Sequence, residues 1–407
     1  MNSLFTKPLP ELASVPSANG TVGAVVIGGD YQGLEIVRSL GRRGVPVCIV
    51  DDEHSISRFS RYATRYIRVP DLRNENAIVD RLLALGTRLE LHGWVLYPTR
   101  EELVAALSRN RAKLSEVFRV PTPSWEATQW AWDKRNTYRL ARELEIPVPC
   151  THYPESEDDL APLDVMSPPF AIKPAIKEHF MYSTKAKAWC AQSHKDLRML
   201  YRSASKLVGP GEVMVQEVIP GGGTQQFAYC AFFREGKALG KMIARRRRQH
   251  PFQFGRSSTY VETVDIPILE ELSERFLRAM NYYGLVEVEY KLDPRDSQYK
   301  LLDVNARTWG YHSLGPKAGV DFSYMLFSDQ IGLPVSDCRA EPGIGWVRMT
   351  TDLPAAVVAM LAGDVDLKSY LRSIISCDVE AVFTGDDPIP GFAEVLMIPY
   401  LALKRGF

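Results

Sequence analysis

The sequence has no charge excess of either sign: 49 Lys and Arg offset 49 Asp and Glu. A neutral chain has no whole-molecule attraction to nucleic acid or to an anionic membrane. Cysteine spacing of the metal or disulfide type is also missing. Cys48, Cys150, Cys190, Cys230, Cys338 and Cys377 form no C-x-x-C pair, and no histidine joins them at ligand spacing. A disulfide or zinc framework is not expected, and a reducing, cytoplasmic setting fits. No apolar run reaches the roughly 18 residues of a membrane span, and no internal repeat is visible. The start of the chain lacks the apolar run of a signal peptide. Residues 1–20, rich in Ser, Ala and Pro, read as a loose leader. The apolar run 395–403 is short and interrupted by Pro399. It reads as a last helix packed on the core, with an interfacial membrane anchor as the alternative.

With 407 residues, 45% hydrophobic and 24% charged, the chain has the make-up of a globular protein of two to four units. An apolar run at 24–27 ends in Gly28-Gly29. Leu34, Val37 and Leu40 follow at helical spacing, and a second run at 45–50 closes on Asp51-Asp52. Strand, glycine turn, helix and strand in that order predict a parallel sheet. Further strands are predicted at 65–69 and 94–97, with a helical stretch over 101–118, giving a first unit at 21–120. Pro121-Thr122-Pro123 marks its end. Asp133 is placed to cap a helix running to about residue 145, which Ile146-Pro147-Val148-Pro149 stops. Strands are expected at 170–173 and 213–219, antiparallel strands from 226 to 264, and an amphipathic helix at 268–280.

Gly28, Gly29 and Gly33 suggest a phosphate-binding turn. Asp51 follows near where a dinucleotide fold places its ribose-binding acid, roughly 20 residues on. On these residues alone an NAD-dependent oxidoreductase is a candidate, although the spacing departs from G-x-G-x-x-G. The alternative is a glycine turn that lets a helix pack on a sheet.

The segment 284–310, GLVEVEYKLDPRDSQYKLLDVNARTWG, carries more. Two strands, 284–293 and 299–305, fold together across 294–298. Strand side chains alternate faces, so Glu287 and Glu289 share one face, as do Asp303 and Asn305. In the right register Glu289, Asp303 and Asn305 converge as oxygen ligands. Magnesium is commonly held by one or two carboxylates plus substrate phosphates. A solvated hairpin face is the competing reading. Upstream, Lys134 follows the capping Asp133, and Lys173 ends the strand at 170–173. A second strand ends in Pro220 and three glycines, as a hinge does. Lysines for phosphates, a hinge for a base and carboxylates for a metal follow one another along the chain.

This ordered set resembles the ATP-grasp superfamily from about residue 21 to 320. The matching segments are the glycine turn, WDKRNTYRLARELEIPVP, PFAIKP, VQEVIPGG, VEVEYK and LLDVNAR. YPTREELVAALSRNRAKLSEVFRVPTP and the C-terminal ALKRGF further resemble a bacterial branch of predicted carboxylate–amine ligases. The resemblance implies a mixed α/β and α+β chain. It would have a Rossmann-like pre-ATP-grasp domain at 21–120 and an ATP-grasp domain at 121–320, its lid subdomain near 165–220. A C-terminal extension, 321–407, would pack on that core. ATP and Mg2+, with Mn2+ as an alternative ion, are the implied cofactors. A small-molecule carboxylate and amine are the implied substrates, and a homodimer is compatible.

By resemblance Lys134 and Lys173 meet nucleotide phosphates, and Gln216, Glu217, Val218 and Ile219 form the adenine site. Glu289, Asp303 and Asn305 match the magnesium ligands, and Arg307 lies near the transferred phosphate. Two departures stand out. The stretch 173–189 has no glycine where relatives carry a glycine-rich lid, and Lys185 and Lys187 are its main charges. Thr224-Gln225-Gln226 stand where an acid often holds the ribose. The run Arg245, Arg246, Arg247 and Arg248 reads as a solvated charge run or, more weakly, a nucleic-acid contact. The related branch has a similar segment, which favours Arg246 and Arg248 on one strand face toward the cleft, binding a carboxylate or acyl phosphate. A non-catalytic nucleotide-binding protein is the remaining alternative.

Overall fold

The computed structural model describes residues 21–250, 255, 257–361, 363 and 365–405. The leader expected at 1–20 lies outside them. Three sheets organise the rest. The first is parallel throughout, in the order Arg65–Arg68, Val47–Asp51, Ala24–Ile27, Val95–Pro98. Its two central strands are fully buried, as a parallel sheet covered on both faces requires. Helices Glu75–Arg88 and Glu101–Arg109 cover one face through Leu82, Leu85, Leu103 and Leu107. Helix Tyr31–Gly41 covers the other with Leu34, Ile36, Val37 and Leu40. The predicted stretch 101–118 is two helices, Glu101–Arg109 and Arg111–Leu114, meeting at Asn110.

The second sheet has eight strands and runs Gln298–Asn305, Gly284–Asp293, Gln226–Arg234, Lys237–His250, Ser257–Val264, Gly345–Val347, Val379–Glu380. Cys338–Arg339 pairs beside Lys237–His250. Strand Gln226–Arg234 shows how it is packed. Ala228, Cys230 and Phe232 face the helix Tyr31–Gly41 side. Phe227, Tyr229, Ala231 and Phe233 face helices Lys134–Glu143 and Pro267–Ala279. Alternate residues thus serve two cores, which a half-solvated sheet would not show. Three strands of this sheet come from beyond residue 321, so the C-terminal part extends the sheet as well as packing on it.

The third sheet, Thr151–His152, Val213–Glu217, Phe170–Pro174, Trp189–Ala191, is antiparallel. It has a small core of its own with helix His194–Val208. The C-terminal part is also tied to the first sheet's layer. Arg38, fully buried on helix Tyr31–Gly41, donates to Asp387 at 3.0 Å and to the Val382 carbonyl at 2.7 Å. The last helix, Ile389–Arg405, buries Ala393, Glu394 and Leu401 while Phe392, Val395, Leu396 and Ile398 stay exposed. No helix among the described residues is long and apolar enough to cross a membrane.

Candidate active site

The hairpin forms with the expected register. Glu289 pairs with Asp303 and Glu287 with Asn305 across Gly284–Asp293 and Gln298–Asn305. A register shift falls between Glu289 and Tyr290, beyond the acidic pairs, so it leaves their shared face intact. The Asn305 amide donates to Glu287 at 3.0 Å and to Glu289 at 2.9 Å. Glu287 is fully enclosed and accepts from the Tyr311 hydroxyl at 2.6 Å. Burial, with Glu289 adding to it, pushes its carboxyl up to about 7. Glu287 therefore sits behind Asn305 and holds it, whereas Glu289 and Asp303 line an open cavity.

That cavity, about 460 Å³, lies between the second and third sheets, within the usual size of a small-molecule site. Its lining divides by chemistry. Lys134, Lys173, Lys177, Lys187, Lys291 and Arg246 stand against Glu217, Glu289 and Asp303, a surplus of cations that suits a polyphosphate. Pro149, Pro169, Ala171, Val218, Ile219 and Leu302 supply apolar wall.

Lys134 is positioned by the cap of its own helix, where Asp133 accepts the Arg135 amide at 2.9 Å. Its ammonium pairs with Asp303. Lys173, at the end of strand Phe170–Pro174, donates to the Tyr138 hydroxyl at 2.9 Å. The Gln216 amide donates to Thr151 at 2.7 Å. Glu217 is held by the Cys150 amide at 2.8 Å and by Arg295 at 2.5 Å. Val218 and Ile219 lie against the cavity, and the Ile219 carbonyl accepts from Lys291 at 2.7 Å. Gln226 also lines it, with its amide oxygen engaged by Arg246. Lys177, Lys187, Gln249 and Lys291 belong to the cavity too, without having been assigned to a site from the sequence.

The arginine run departs from simple alternation. Register shifts fall between Arg246 and Arg248 and again between Arg248 and Gln249 in the pairing of Lys237–His250 with Ser257–Val264. An extra residue in one strand re-aims those after it. Arg246 and Gln249 consequently line the cavity. Arg248 is not brought to it. Both arms of its guanidinium engage Asp352 at 2.8 Å, with Ser373 at 2.8 Å and the Tyr260 ring at 4.4 Å. Arg245 donates to the Thr224 carbonyl, and Arg247 pairs with Glu262 at 3.0 Å. The run is thus spent on contacts within the molecule. Asn305 and Arg307 do not line the cavity; Arg307 pairs with Glu101 of the first unit at 2.8 Å and donates to the Asn305 side-chain amide oxygen at 3.4 Å.

The glycine turn is a packing device. The Gly29 amide, which a pyrophosphate would need, donates to Asp51 at 2.6 Å. Asp51 also accepts from the Glu53 amide and pairs with Arg100. The acid expected to hold a ribose is satisfied internally, which removes the observation favouring a dinucleotide. His312 is buried with a nitrogen 2.8 Å from the Gln32 carbonyl; burial holds it down at about 4.

No family model matches the chain. Structural comparison places it with a biotin carboxylase from Campylobacter jejuni in complex with βγ-ATP, at a TM-score of 0.64 and 16% identity, over 80% of this chain and 74% of that one. The L-amino acid ligase from Bacillus licheniformis superposes at a TM-score of 0.60 and 15% identity, over 76% and 74%. The chain has the ATP-grasp fold. In sequence it is similar to the D-aspartate ligase of Enterococcus faecium (strain Aus0004), 20% identical over 305 residues, 70% of each chain. The cavity lies between the third sheet and the large sheet. The element after Lys173 is a helix, Lys177–Thr184, rather than a glycine-rich loop.

Proposed function

We propose that this protein is an ATP-dependent carboxylate–amine ligase that activates a small carboxylic acid as an acyl phosphate and releases ADP and phosphate. The observation that carries the proposal is the convergence of Lys134, Lys173, Glu289 and Asp303 on one cavity whose apolar end is formed by Val218 and Ile219. The likeness to D-aspartate ligase and to L-amino acid ligase supports amide formation between amino-acid-like partners.

In this reading the adenine packs beside Gln216, Glu217, Val218 and Ile219, and Lys134 and Lys173 meet the phosphates. The donor set fits magnesium. Among the described residues no group of three His, Cys, Asp or Glu is gathered to hold a metal alone. Two cross-strand carboxylates and an amide oxygen suit an ion that also takes phosphate oxygens. Glu289, Asp303 and Asn305 would hold it, and the ion would neutralise charge on the phosphates. The substrate carboxylate attacks the γ-phosphorus in line, and the bond to the β-phosphate oxygen breaks, leaving ADP. Lys173, Arg246 and Arg307 stabilise the equatorial oxygens of the transferring group. The amine then attacks the acyl carbon, the acyl–phosphate bond breaks, and the amine proton departs with the phosphate. Closure of the third sheet over the large one excludes water from the acyl phosphate. Arg248, fixed on Asp352, has a structural part in this scheme. Six unpaired cysteines fit a reducing, cytoplasmic setting, which belongs to the proposal together with a homodimeric form.

The test is ADP and phosphate release with Mg-ATP and pooled carboxylates and amines, against a Lys173→Ala control. Release that needs a particular acid and fails in the control is the expected result. ATP turnover unchanged in Lys173→Ala and in Glu289→Ala would sink the site assignment.

A further inference from the structure

The segment between Lys173 and strand Trp189–Ala191 has no counterpart to a glycine-rich lid, so the contacts such a loop makes must come from elsewhere or be absent. Lys187 stands out in it. Its side chain enters the cavity opposite Glu289 and Asp303. The other cavity cations named above have partners. Lys134 has Asp303, Lys173 has Tyr138, Lys177 has Glu178, Lys291 has the Ile219 carbonyl and Arg246 has Glu289. Among the described residues the Lys187 ammonium makes no hydrogen bond or ion pair. A part-buried ammonium without a partner is costly, and a fold keeps one where a ligand supplies the missing charge. Its position facing the two carboxylates puts it at the metal end of the cavity rather than at the apolar end.

We propose that Lys187 binds the terminal phosphoryl group of ATP, supplying from a helix-led lid the charge that a glycine-rich loop otherwise provides through its amides. The proposal rests on the ATP-dependent reading above and adds a contacting residue to it. It requires Lys187 to distinguish ATP from ADP, since ADP lacks the group it meets. Lys134, facing phosphates common to both, need not do so.

The experiment measures the affinities of the whole protein for Mg-ATP and Mg-ADP by calorimetry, without substrate acid or amine, in the wild type and in Lys187→Met. One charge-assisted contact corresponds to about 10- to 100-fold in affinity. The expected result is a loss of that size for ATP with ADP changed less than about twofold; retained ADP binding also shows that the variant is folded. Equal losses for the two nucleotides, or none, would overturn the assignment. Should Lys187→Met bind neither, Lys187→Gln reads the same ratio. Failure of both variants to bind either nucleotide would make Lys187 a residue of the fold and overturn the proposal. A wild type that binds neither nucleotide refutes the ATP-dependent reading itself, which is a separate outcome.

Discussion

Lys134 and Asp303 offer a sharp energetic test, because each is shifted by the other across one contact. Burial works against the Lys134 ammonium, yet the Asp303 charge pushes it up to about 12 from 10.5. Burial likewise opposes the Asp303 carboxylate, and Lys134 nonetheless helps hold it down at about 2 from 3.8. At about 1.4 kcal/mol per pH unit, both sides put the attraction at roughly 2 kcal/mol. Removing one partner costs more, about 3 kcal/mol or above, because it strands a buried charge. Lys134→Met and Asp303→Asn should each destabilise by that amount, and the double variant by about 2 kcal/mol less than their sum. Urea unfolding of the wild type and the three variants measures this coupling. The stabilisation held by the lowered Asp303 is present above pH 3.8 and lost as pH falls through 2. That held by the raised Lys134 is present below pH 10.5 and lost as pH rises through 12. The coupling should therefore be the same at pH 5 and pH 9. A coupling below about 0.5 kcal/mol, or one that disappears between those two values, refutes the reasoning. The double variant should fold and still form no ADP.

Glu35 is buried, and burial pushes its carboxyl up to about 8 against the opposing pull of Arg42. The unfolded chain ionises this group from pH 4.5 upward while the folded one does not, so its cost grows between pH 4.5 and 8 and is constant above. Glu35→Gln should be stabilising by about 2 kcal/mol or more at pH 8 and nearly neutral at pH 4.5, read by melting temperature at each pH. Gly28 has φ +96° and a Cβ there would lie 2.1 Å from the Thr99 hydroxyl oxygen, whereas Gly44, at φ +76°, faces open space. Gly28→Ala should cost several-fold more than the roughly 1 kcal/mol of strain expected for Gly44→Ala, again by melting. Arg38→Met strands the buried Asp387 carboxylate and should destabilise by about 3–5 kcal/mol, with Arg38→Met/Asp387→Asn recovering part of it.

The hairpin was legible because a two-residue period is written directly in the order of side chains, which sets Glu289, Asp303 and Asn305 on one face. The same rule misplaced Arg248, since a bulge has no signature in four consecutive arginines. Strands Gly345–Val347 and Val379–Glu380 were invisible for another reason. They are too short to show any period, and pairing with distant neighbours alone makes them strands. Lys177 carried no signal in the sequence, and Lys187 stood out only as a charge of the stretch 173–189. What makes them part of the cavity is where tertiary packing sets them, on its wall, which local pattern does not carry. The Gly28 turn was seen but its use was not: the decisive fact, the Gly29 amide given to Asp51, depends on strands brought side by side.

Arg38 and Asp387 lie 349 residues apart in the chain. On a ribosome adding about 5–20 residues per second, the carboxylate is made roughly 20–70 s after its guanidinium partner. During that interval the first parallel sheet must persist with a cation destined for burial still facing solvent. The large sheet is likewise without the strands Gly345–Val347 and Val379–Glu380 that border Ser257–Val264 and extend its edge. A nascent chain of this protein therefore completes neither the Arg38–Asp387 contact nor the edge of the large sheet until the segment from Gly345 to Asp387 has been made.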